Sequence, residues 1–132
     1  MAANKRVNSV AYEAGQDLSS HQFRIVAIAS DAQVDPVDDG NTPPLGILLN
    51  KPAAAGAGAE IAVEGSDVKL EAGAALNEGD LVVAVAGGRG SAGPAGGTAV
   101  GTTWVVGVCT QAASGSGAIA GVLVRPFFYV RA

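Results

Sequence analysis

The chain has 132 residues, 19 of them Gly, only 5% aromatic, with a formal net charge of −4. That length fits one domain, and Val and Gly with little Leu favour strands over helices. The acidic balance speaks against a non-specific nucleic-acid binder, no run approaches the roughly 18 apolar residues of a membrane span, and a single Cys excludes an internal disulfide.

Met1–Val10 is polar, without the apolar segment of a signal peptide, so synthesis in a cytoplasm is expected. It has no apolar periodicity and reads as an extended arm, residues 1–10, ahead of a single β domain, residues 11–132. Such an arm orders on binding, adding as a strand to a sheet edge of another chain. Backbone bonds would hold Val7 and Val10, and Lys5 and Arg6 would meet carboxylates. Between Asp31 and Asp80 lie ten acidic residues against only Lys51 and Lys69, while Arg125 and Arg131 sit near the end. Basic ends on an acidic body suit docking of the termini on an acidic protein surface.

Val10–Tyr12 reads as a short first strand, and Leu18–Gln22 as a helical turn or a loop. Phe23–Ala29 is a strand with apolar residues on both faces, so one face is either buried or in an interface. Ser30–Pro44 is a long acidic connection in which Val34 and Val37 can make a brief edge strand, since Pro36, Pro43 and Pro44 argue against a central one.

Leu45–Val63 then introduces a motif that the chain repeats. Leu45-Gly46-Ile47 leads to Asn50, an Ala-rich turn with Gly56 and Gly58, and Ala59–Val63. Val106-Gly107-Val108 leads to Gln111, a turn with Gly115 and Gly117, and Ala118–Val122. Gly46 pairs with Gly107, and Gly56 and Gly58 with Gly115 and Gly117, the second turn being about two residues shorter. Both copies read as β-hairpins.

Between them, Val68–Leu70 and Leu81–Ala86 are strands. Gly87–Gly97 reads as an exposed mobile loop, in which replacing Arg89 would change stability by no more than about 0.5 kcal/mol. Pro126 ends the last hairpin strand, leaving Phe127–Val130 as an apolar tail. About nine short strands and almost no helix give an all-β fold, a small antiparallel β-barrel or β-sandwich with an extended N-terminal arm and long loops. A Val/Ala core supplies limited transfer free energy, so contacts between subunits would add stability. Phe23, Ile25, Phe127, Phe128 and Tyr129 are the candidates for that interface.

Reactive chemistry has little support. His21 beside Asp17, Ser19 and Ser20 forms no relay by adjacency alone. Cys109 among Val residues reads as a buried thiol. The Asp35–Asn41 loop lacks calcium-loop spacing, and Lys69 is not at the turn tip that a lipoyl or biotinyl carrier needs. No catalytic residue, metal or cofactor is expected.

Gly46-Ile47, Ile61-Ala62-Val63-Glu64-Gly65, Gly79-Asp80-Leu81-Val82, Gly107-Val108 and Val122-Leu123-Val124 together resemble the small capsid decoration, or cement, proteins of tailed bacteriophages. The resemblance covers roughly Leu45 to Arg125. It implies a structural protein on the outer capsid surface of a virion, commonly a homotrimer, that bridges subunits of the major capsid protein. It implies no catalytic residue. The alternative is another β-rich homo-oligomeric phage part, such as a tail or fibre component.

Overall fold

The computed structural model describes residues 2–93 and 102–130. Ten strands follow one another: β1 Ser9–Ala14, β2 Ile25–Ser30, β3 Gln33–Pro36, β4 Gly46–Leu48, β5 Gly58–Ala62, β6 Asp67–Glu71, β7 Leu81–Val85, β8 Arg89–Ala92, β9 Thr102–Gln111 and β10 Ile119–Val130. Only the 3-10 turn Ala86–Gly88 is helical among the described residues. The first five strands close a barrel in the order β1-β3-β2-β4-β5, and the last five form a sheet in the order β6-β10-β9-β7-β8. The all-β barrel class is as expected. One pair, β1 with β3, is parallel within an otherwise antiparallel set.

The two halves have the same connectivity and the same register. Ile47 faces Ala62 across β4 and β5, and Val108 faces Leu123 across β9 and β10, a constant shift of 61 positions. Ile25 faces Ile47 as Leu81 faces Val108. Val10 faces Ile61 as Val68 faces Val122, and Ala27 faces Asp35 as Val83 faces Ser91. β6 and β8 meet at an isolated parallel bridge, Ala72 with Gly90, the counterpart of Ala14 with Val34, so the second sheet curls into a second, incompletely closed barrel.

Turns and loop bonds repeat as well. The Gly56 amide donates to the Ala14 carbonyl at 2.8 Å, and the Gly117 amide to the Ala72 carbonyl at 2.8 Å. The Leu18 amide donates to Pro52, and the Leu76 amide to Ala113. Asp31 and Ala32 take positive φ at the turn from β2 to β3, and Gly87 and Gly88 do so between β7 and β8. Two consecutive left-handed residues match the right-handed twist of a tight hairpin.

Several expectations are corrected here. The duplicated unit extends well beyond the hairpin, and the hairpin turns are equal in length. Gly56, with φ 85°, matches Gly117, with φ 86°, so Gly115 is not its counterpart. β3 is paired on both sides and is not an edge, with Pro36 at its last position. Residues 89–92 are a strand paired with β7, not a mobile loop; residues 94–97 of that glycine-rich run lie outside the described residues. Pro126 does not end β10. It sits in a register shift between Val124 and Phe127, where a missing N–H donor costs no ladder bond.

Each barrel buries its own interior. Ala14, Val26, Val34, Leu48, Ala59 and Ile61 fill the first. At the matching places in the second stand Ala72, Val82, Gly90, Cys109, Ala120 and Val122. Cys109 fills the position of Leu48, and the Leu70 and Val82 side chains occupy the space that Gly90 leaves against Val34.

The halves are joined by a contact between unlike faces. Ile25 and Ile47 alternate with the inward-facing Val26 and Leu48, so with Ala62 they form the outer wall of the first barrel. That wall is fully buried. It forms one core with Val68, Val106 and Val124, which surround one end of the second barrel, and β4 lies against β10.

Candidate interaction surfaces

The N-terminal arm is bonded to its own chain. The Lys5 amide donates to the Asp67 carbonyl at 2.8 Å, and the Asp67 amide to the Arg6 carbonyl at 2.8 Å. The Asn8 amide donates to Ser66 Oγ, whose hydroxyl donates back to the Asn8 carbonyl, and the Asn4 side chain accepts from the Lys69 amide. The arm thus extends β6 and the turn before it, in place of the free segment expected from the sequence. Lys5, Arg6, Val7 and Val10 all keep exposed side chains.

The candidate interface residues separate into three groups. Ile25 cannot present itself to a second subunit, because it is fully buried in its own chain. Phe23 is half-buried, with φ 63° where the second half has Gly79 at φ 89°. Lys69, the middle residue of β6, has its Nζ 5.5 Å from the centre of the Phe23 ring.

Phe127, Phe128 and Tyr129 form the third group. Among the described residues, β10 from residue 126 onward pairs only with β9, making a two-stranded ribbon in which Phe127 faces Val105, Phe128 faces Trp104 and Tyr129 faces Thr103. Trp104 and Phe128 pack with ring centres 5.0 Å apart and planes tilted by 53°. The Trp104 amide donates to the Gly40 carbonyl at 2.8 Å, which ties the base of the ribbon to the first half. Phe127 and Tyr129 are half-buried, while Phe128 is 47% and Val130 66% exposed. The ribbon has no counterpart in the first half, where the positions after Val63 turn into β6.

A further apolar surface is formed by residues outside these candidates. Leu81, Val108 and Leu123 sit side by side across β7, β9 and β10 on the outward face. They match Ile25, Ile47 and Ala62, but Leu81 and Val108 are only half-buried and Leu123 is 37% exposed. With Pro126 and Phe127 they border a groove that has Glu64 and Arg125 at its rim. Aligning the two halves by their barrel register, beyond the hairpin alone, would have exposed this row in the sequence.

Burial and the nearby Arg24 guanidinium hold the His21 imidazole below its ordinary pKa. Burial pushes the Cys109 thiol up, and its Sγ donates to the Gln111 carbonyl. Hydrogen bonds from the Ser19 hydroxyl and amide hold Asp17 below the usual carboxylate range. Arg89, assigned to a free loop by the sequence, donates to Glu71, which also accepts from Arg24 at 3.2 Å. Among the described residues no group of three His, Cys, Asp or Glu side chains is placed to hold a metal, and no helix is long and apolar enough to cross a membrane.

No protein-family model matches the chain, and no curated protein matches it.

Proposed function

We propose that this chain is a structural virion protein that decorates the outside of a bacteriophage capsid and stabilises it by bridging major capsid protein subunits. The observation that carries the reading is the Trp104–Phe128 ribbon. It is an addition to a duplicated framework whose first copy closes its barrel without any such ribbon, and it leaves aromatic and aliphatic side chains in solvent. Aromatic anchors held on paired strands supply contact area with little side-chain entropy to lose, as in binding surfaces. The exposed Lys5 and Arg6 beside β6 add positive charge suited to coat carboxylates. The resemblance of residues 45–125 to cement proteins points the same way.

The test is to mix the purified chain with phage heads lacking a decoration protein, and separately with tails, and to measure bound copies after sedimentation. Saturable binding to heads, and heads that survive heating better when decorated, is the expected result. Phe128→Asp should abolish occupancy. Binding to tails alone would favour a tail or fibre component, and binding to neither would overturn the virion reading.

A further inference from the structure

The contact between the two halves of the chain is heterologous: the open end of the second barrel, lined by Val68, Val106 and Val124, seats on the outer wall of the first, formed by Ile25, Ile47 and Ala62. The chain carries each of these faces a second time. The end of the first barrel is lined by Val10, Leu45 and Val63, the register counterparts of Val68, Val106 and Val124. The wall of the second is Leu81, Val108 and Leu123. All six copied positions are apolar, and all are left partly open in the single chain: Val10 is 36% and Leu123 37% exposed, and the other four are half-buried. The six positions that meet inside the chain are buried to at least 99%.

We propose that copies of this chain associate head to tail, the first-barrel end of one copy seating on the second-barrel wall of the next and repeating the contact that each chain makes internally. The occupant of the apolar row is therefore a second copy of this chain, identified by the contact that already covers its counterpart. A heterologous contact of this kind closes into a ring when its rotation allows and otherwise extends into a filament. Three side chains on each face bury less than the roughly 1,000 Å² of a lasting complex, so ring closure, with both faces of every copy engaged, is the form that persists. The contact does not rest on the virion reading, since it needs only this chain.

The test uses the purified full chain with no phage particle present. Sedimentation equilibrium of the wild type should give a mass above that of one chain. Leu123→Asp on the wall and Val10→Asp on the barrel end should each give a monomer with unchanged far-ultraviolet circular dichroism. Mixed together at high concentration, the two variants should form a one-to-one dimer, weaker than the wild-type ring because a single contact holds it, since each supplies the face that the other has lost. A symmetric, self-complementary interface would not show that rescue. If a variant fails to fold, methyl NMR of the wild type at increasing concentration replaces it, with shifts at Val10, Leu45 and Val63 on one side and Leu81, Val108 and Leu123 on the other. A wild type that stays monomeric, variants that both keep the oligomer, a mixture that stays monomeric, or methyl shifts confined to one face would overturn the proposal.

Discussion

Gly46 and Gly107 occupy the same place in two copies of one barrel: a Cβ on Gly46 would run into the carbonyl oxygen of Ala62, and one on Gly107 into that of Leu123. Both neighbours are backbone on a paired strand, so neither can turn aside. Forcing extra atoms into such a site costs about 1–3 kcal/mol. Gly46→Ala and Gly107→Ala should therefore each lower the free energy of unfolding by about 2 kcal/mol, by similar amounts, as measured by urea denaturation. A neutral result at either position would mean that the two hairpins differ in how tightly their strands approach.

Glu71 joins three elements. It ends β6 and accepts from Arg89 at the start of β8 and from Arg24 just before β2, and the Arg24 guanidinium also reaches the Gly87 carbonyl. The Arg24 and Glu71 side chains are largely shielded, whereas Arg89 is more exposed. Removing a shielded partner leaves charge without compensation, so Glu71→Ala should cost about 2 kcal/mol. Arg89→Ala should cost nearer 1 kcal/mol, in line with a more exposed pair, which replaces the near-zero effect expected for a loop residue. A double-mutant cycle between positions 71 and 89 measures the coupling directly.

A loss of stability in mild acid is expected from His21. Burial first, then Arg24, keeps His21 less basic in the folded chain than its ordinary pKa of about 6.5. Above that value the imidazole is neutral in both states and contributes nothing to the pH dependence. As pH falls below it, the unfolded chain takes up the proton first, so stability declines through the folded pKa. His21→Gln should flatten the fall in unfolding free energy between neutral pH and about pH 5. Asp17, also depressed, acts in a separate and more acidic window, where stability is lost as pH falls through its lowered pKa, and that loss should persist in the His21 variant.

Much of the architecture was legible in the residues. Val-rich runs bounded by Gly located β4, β5, β6 and β7 and the β9–β10 pairing, and Gly46 against Gly107 revealed the repeat. The two hairpin turns are so rich in Ala and Gly that their sequences match equally well two places out of register. Left-handed φ at Gly56 and Gly117 shows the correct match, and φ is not visible in composition. The Gly-rich run around Arg89 looked mobile because its strand is held by backbone pairing to β7 and by Glu71, both distant in sequence. Pro126 looked like a strand end because nothing local announces a bulge. Ile25 looked available for an interface because its strand is apolar on both faces, but the partner that covers its outer face is the second half of the same chain.

Trp104 is the single tryptophan and stands in the ribbon, so its emission reports on that surface alone. The head-to-tail contact uses Val10, Leu45 and Val63 against Leu81, Val108 and Leu123, none of which is part of the Trp104–Phe128 pair. Self-association should therefore leave the emission maximum and its quenching by acrylamide unchanged across a concentration series. Docking of the ribbon on a phage head should remove solvent from the indole, shift the emission to shorter wavelength and reduce quenching. Because the contact is largely apolar, those changes should survive added salt, which screens only the contribution of Lys5 and Arg6. Phe128→Ala removes an aromatic pair worth about 0.5–1.5 kcal/mol and should raise quenching in the free chain while weakening the response to heads. A blue shift that appears on concentrating the chain alone would place the ribbon between copies, and the head-docking role assigned to it would then be wrong.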